Sequence, residues 1–188
     1  MSEQIENHRL QTIAGEANTL WTAFVESLGS THKPESLFHV VPSVTLNPVV
    51  LRFFTFCAEL KLGAAVSPAF LIPTSTRGRS PAPTWLWHQG GGRPAILIDF
   101  DQIGHSFPAD AQKQRTITRL ILHEIGHMTL HYGSLRSQAR GKVSSASPQQ
   151  EQEAWAFAGI ILGVALGGLA RSGRTRVPPI IDGAWKFC

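Results

Sequence analysis

Apolar residues recur at helical spacing near both ends of the chain, with strand-like runs between. From residue 5 to 28, Ile5, Leu10, Ile13, Ala17, Leu20, Trp21, Phe24 and Leu28 stand among polar neighbours, which predicts an amphipathic helix covering a core. Pro34 and Pro42 interrupt the next stretch. A second helix is expected from about Asn47 to Leu62, with Pro48 suited to its first turn and Gly63 to its stop. Val66 to Ile72 reads as a strand, and Thr74 to Pro83, rich in Ser, Arg, Gly and Pro, as a surface loop and the one plausible internal linker. Thr84 to His88 and Ala95 to Phe100 are β-rich runs separated by Gln-Gly-Gly-Gly-Arg-Pro, the layout of a hairpin.

The helical period then returns. Ile117, Leu120, Ile121, Ile125 and Met128 mark a third helix that Asp110 or Ser106 can cap and that Gly133 is expected to end. Ser147-Pro148-Gln149-Gln150 opens a fourth, with Ser as N-cap, Pro at the first helical position and Gln completing a capping box. Ser134 to Ala146, polar, basic and glycine-bearing, reads as a surface loop between them. This order predicts an α+β fold in which a helical core packs on a small β-sheet behind N-terminal helices. One domain over 1–188 is expected, with an accessory region at 1–80 and a catalytic core at 84–170.

Composition narrows the class. Of 188 residues, 43% are hydrophobic and 16% charged, enough to bury a sizeable core. The formal charge of +4 is spread along the chain, and Arg136, Arg140 and Lys142, like Arg171, Arg174 and Arg176, read as solvated faces, so no nucleic-acid partner is expected. Cys57 and Cys188 lie outside any paired spacing, which indicates neither a disulfide framework nor a Cys-rich zinc site. The polar, acidic start lacks the layout of a secretory signal, and a cytoplasmic protein is expected. Ala154 to Ala170 is uncharged, but it is short for a membrane span and reads as a buried core helix.

The chemistry concentrates in His123-Glu124-Ile125-Gly126-His127. One helical turn separates the two histidines, about 6 Å along the axis, so both imidazoles can reach one zinc ion. Glu124 is then placed to work on the attacking water as a general base and not as a ligand. Catalytic zinc takes three protein ligands and keeps one position open. His131 lies about 12 Å along the axis from His123, too far to share the ion with both histidines, and reads as a core or outer-sphere residue. Glu151 and Glu153 point about 200° apart on the next helix. Glu151 is favoured because it shares a face with the small Ala154 and Ala158, though periodicity alone leaves both open. Gly133 stands where a metzincin would carry histidine, and the Glu-Gly-Cys segment of peptide deformylases is absent, leaving Cys57 as a core residue. His88, His105, His131 and Tyr132 are candidates by type for oxyanion stabilisation.

From about residue 94 to 166, the run from Gln114 through His123-Glu124-Ile125-Gly126-His127 to His131, followed by Glu151-Gln152-Glu153-Ala154-Trp155-Ala156-Phe157-Ala158, resembles the ImmA/IrrE family of metallopeptidases. The resemblance implies His123, His127 and Glu151 as zinc ligands and Glu124 as general base. It further implies a cytoplasmic bacterial enzyme that cleaves a regulatory protein such as a helix-turn-helix repressor. Two departures stand out: Trp155 occupies a place often held by Asn or Asp, and Gly163-Val164-Ala165-Leu166 replaces a Leu-Met-Pro helix ending. The substrate is expected to run extended beside Ala95 to Phe100 as an edge strand. The rival expectation is a zinc-stabilised module that sequesters a partner protein without cutting it.

Overall fold

A computed structural model describes residues 6–29, 48–63, 70–71, 84–87, 95–98, 110–138 and 146–171. Four helices organise them: α1 (Asn7–Leu28), α2 (Pro48–Leu62), α3 (Asp110–Gln138) and α4 (Pro148–Arg171). They pack in a ring, α1 on α2, α2 on α3, α3 on α4 and α4 on α1. Each helix buries its apolar stripe between two others.

The stripes explain the ring. On α1, Ile13, Ala17, Leu20, Trp21 and Phe24 are buried; on α2, Val49, Val50, Phe53, Phe54, Cys57 and Ala58 are. Rings interlock at the α1–α2 junction, where Trp21 meets Phe53 edge-on at 5.4 Å and Phe24 lies 5.1 Å from Phe53 and 5.6 Å from Phe56. An ion pair between Lys61 and Glu16 ties the same two helices at the surface. Gly63 ends α2 at a φ of 60°, where side chains are strained, with its N–H bonded to the Glu59 carbonyl at 2.9 Å.

The expected α+β fold with helices laid on a sheet is corrected. Helices bury their stripes on one another, and the extended residues are too few to form a layer for them. They amount to β1 (Phe70–Leu71), β2 (Thr84–Trp87) and β3 (Ala95–Ile98), paired in the order β1, β3, β2. β2 and β3 run antiparallel from Thr84 opposite Ile98 to Trp87 opposite Ala95. β1 adds in parallel at Leu97 and Ile98. Ile96 and Ile98 are buried, and β2 touches α3. β3 is therefore central in the ladder, and the expected free edge for a substrate along Ala95 to Phe100 is lost, since Leu97 and Ile98 are paired on both sides.

Helix ends depart from expectation at one place and match it at another. α3 continues through Gly133 to Gln138 in place of the expected stop; a single glycine costs a helix only about 1 kcal/mol against alanine, which is no barrier to another turn. α4 begins with the expected capping box: Gln150 N–H donates to Ser147 Oγ at 3.2 Å, and Ser147 N–H donates to Gln150 Oε1 at 2.9 Å. Among the described residues, no helix is long and apolar enough to cross a membrane. The expected linker 74–83, most of Val66 to Ile72, His88, His105, and Arg140, Lys142, Arg174 and Arg176 lie outside the described residues, as do the side chains of Tyr132, Arg136 and Arg171.

Candidate metal centre

Every position of α3 from Leu120 to Met128 is buried, so His123, Glu124 and His127 sit inside the ring and not on a surface helix. Covered on one side by α2 and on the other by α4, this stretch can present two imidazoles only toward a neighbouring helix. Gly126 makes that neighbour close. A Cβ built there would lie 3.0 Å from the Ala154 Cα and the Ala154 carbonyl oxygen, contacts tighter than most real Cβ atoms make, so α3 and α4 cross backbone to backbone at Gly126 and Ala154. The capping box starts α4 nearly two turns before that crossing and sets Glu151 in its first turn, facing the histidine pair.

The result is a three-residue group able to hold a metal ion, formed by His123, His127 and Glu151. The two Nε2 atoms are 3.1 Å apart. Glu151 spans them with separate oxygens, Oε2 at 3.1 Å from His123 Nε2 and Oε1 at 3.3 Å from His127 Nε2. Ligand atoms about 2.0–2.1 Å from a tetrahedral zinc ion stand about 3.3 Å from one another, and each of these three spacings lies near that value, the last two running to different carboxylate oxygens. The imidazoles are almost wholly covered, whereas the Glu151 side chain is 39% exposed, which leaves the group open on its carboxylate side. Burial raises the Glu151 carboxyl, but hydrogen bonds from His123 and His127 outweigh it and hold the group well below the usual carboxylate range. The donor set is thus two imidazoles and an anion, which suits zinc.

Behind the two histidines the surroundings differ. His127 Nδ1 lies 3.3 Å from His131 Nδ1, His131 Nε2 lies 2.9 Å from Glu153 Oε2, and Arg9 on α1 donates to that same oxygen at 2.5 Å. Gln149 donates to the other Glu153 oxygen at 3.1 Å. Burial pushes the Glu153 carboxyl up, but the hydrogen bonds from Arg9 and His131 bring it down to about 2. Burial lowers the His131 imidazole despite its bond to Glu153, favouring the neutral ring. His123 has a different neighbour: Trp155 packs on its ring at 4.2 Å between centroids, and His123 Nδ1 is buried with no hydrogen-bond partner among the described residues.

Of the residues singled out in the sequence, His123, His127 and Glu151 come together, and Glu153 turns away from them to His131. Glu124 is 4% exposed and adjoins His123 on α3. Sequence reasoning misses Arg9; it lies 144 residues from its partner, and no local pattern marks it. No known protein family, curated protein or solved structure matches the chain.

Proposed function

We propose that this protein is a zinc-dependent endopeptidase of the cytoplasm that cleaves a regulatory protein, a helix-turn-helix repressor being the expected kind. The observation that carries this reading is the gathering of His123, His127 and Glu151 into a group that could hold a metal ion and is open on its carboxylate side, with Glu124 next in the chain to the first histidine. His123, His127 and Glu151 would hold the metal. Zinc, when bound, supplies a Lewis acid that brings the pKa of water down to about 7 and polarises a carbonyl. Glu124 takes a proton from the attacking water as its oxygen bonds the scissile carbonyl carbon, then delivers that proton to the amine nitrogen as the C–N bond breaks.

One observation favours a second reading. His123 Nδ1, under Trp155, has no acceptor among the described residues of the kind that usually orients a catalytic ligand, which suits a zinc-held module that sequesters its partner uncut. Elemental analysis and a cleavage assay on labelled casein and on helix-turn-helix repressors separate the two. The peptidase reading expects about one zinc per chain, retained in Glu124→Gln with cleavage abolished, and lost in Glu151→Ala. Cleavage that survives Glu124→Gln sinks the mechanism, and a zinc-loaded wild type that binds a repressor without cutting it establishes the module.

A further inference from the structure

We propose that Arg9, Glu153 and His131 are positioning residues that fix the tautomer of His127, so that the N-terminal helix α1 forms part of the metal centre's outer support. The inference rests on the metal reading of His123, His127 and Glu151. To give a lone pair from Nε2 to a metal, a neutral His127 must carry its proton on Nδ1. That atom faces His131 Nδ1 at 3.3 Å, and two facing ring nitrogens share a hydrogen bond only if one is bare. His131 Nδ1 is then the acceptor, and the His131 proton sits on Nε2, 2.9 Å from Glu153 Oε2. The carboxylate accepts it, and Arg9 donates to the same oxygen and keeps Glu153 turned toward His131 and away from the metal group.

Every link thereby has one direction: Glu153 accepts from His131, and His131 accepts from His127. With His131 flipped to carry its proton on Nδ1, His127 Nδ1 must accept, and the His127 proton moves to Nε2, where it blocks metal binding. The bond that His131 Nε2–H donates to Glu153 disfavours that tautomer. It is the carboxylate–imidazole–metal arrangement with a second imidazole inserted, and it reaches from α4 across to α1. Glu153 is 3% exposed and the Arg9 side chain 38%, so the cation can be changed from the surface without opening the core.

The test uses the full chain as wild type, Arg9→Ala, Arg9→Lys and Glu153→Gln, with melting curves to confirm folding. Zinc affinity is measured by competition with a chromophoric chelator, and the protonated nitrogen of each histidine is read from long-range 1H–15N spectra with and without zinc. Affinity is expected to fall about 10-fold in Arg9→Ala and up to about 100-fold in Glu153→Gln, with Arg9→Lys restoring most of the first loss. Zinc-bound wild-type spectra should show the proton on His127 Nδ1 and on His131 Nε2, and Glu153→Gln a mixture of tautomers at His131. Should Glu153→Gln fail to fold, the two Arg9 variants decide by the same readings. Wild-type zinc affinity and unchanged tautomers in the variants overturn the positioning chain and leave the metal reading standing. A wild type that takes up no zinc overturns the metal reading alone, and the link from Glu153 to His131 is then decided by whether the His131 proton sits on Nε2 in the wild type and leaves it in Glu153→Gln.

Discussion

Two junctions between helices in this protein each bury acidic groups, and they treat them in opposite ways. At the α1–α2 side, Cys57 sits on α2 among core residues, and burial pushes its thiol well above the ordinary range. At the α3–α4 crossing, Glu151 and Glu153 are also penalised by burial, yet both are driven below the usual carboxylate range by histidine and arginine donors. Burial without donors neutralises an acid; burial with donors keeps it ionised. What separates a core from a candidate site here is therefore the supply of partners, and that supply depends on how closely α3 and α4 approach.

The strongest way to break the contrast is to prise that crossing apart. In Gly126→Ala the new methyl meets Ala154 backbone atoms at 3.0 Å, and backbone cannot step aside as a flexible side chain would. Relief needs a shift of a few tenths of an ångström between the two backbones, with an expected cost of about 1–3 kcal/mol in stability. Glu151 retreats from the two Nε2 atoms as the backbones shift. Denaturant unfolding should show the loss, and chelator competition should show zinc held about 10- to 100-fold more weakly. Unchanged affinity would mean that the Gly126–Ala154 contact does not set the reach of Glu151.

A smaller change sharpens the difference within the crossing. His123 must carry its proton on Nδ1 when its Nε2 faces a metal, and a buried N–H without a partner costs about 1–3 kcal/mol. Trp155 covers that ring with an aromatic surface and brings no side-chain oxygen to its Nδ1 edge. Trp155→Asn puts a carboxamide oxygen on the same side, and zinc affinity is expected to rise about tenfold by chelator competition, opposite in sign to Arg9→Ala. A weaker site would show that the stacking of the indole, and not the missing acceptor, governs His123.

The parts of this arrangement that depend on residues close in sequence are legible in the sequence alone. His123 and His127 at one-turn spacing, the Ser147–Gln150 capping box and the Gly63 stop each follow from short-range geometry, and the observed bonds at the caps are the ones that geometry dictates. The choice of packing partner is not legible there. An apolar stripe says that a face is buried, never against what, so the α+β expectation assigns to a sheet faces that α1, α2, α3 and α4 bury on one another. The edge role expected of Ala95 to Phe100 fails for the same reason, because register with β1 is a long-range fact. Arg9 escapes notice since a lone arginine on a helix is ordinarily solvated, and only tertiary contact brings it to Glu153.

The last and smallest effect tests the donor-free side of the comparison. Cys57 is fully buried, and its folded-state pKa is raised, mainly by burial, with Glu16 adding to the rise and Lys61 opposing it. A raised acid costs nothing while both states are protonated. Below the unfolded thiol value of about 8.5, then, Cys57 leaves stability unaffected by pH. Above it the unfolded chain releases a proton that the folded chain retains, and stability falls by up to about 1.4 kcal/mol per pH unit until the folded pKa is reached. Urea unfolding from pH 7 to 10 should show this slope in the wild type, and Cys57→Ala should flatten it. At pH 8 the native thiol should also react with iodoacetamide at least about tenfold more slowly than in the unfolded chain, read on the Cys57 peptide by mass spectrometry. Equal rates in the two states would mean that the α1–α2 junction admits water and base, and the contrast with the ionised carboxylates of the α3–α4 crossing would fail at its apolar end.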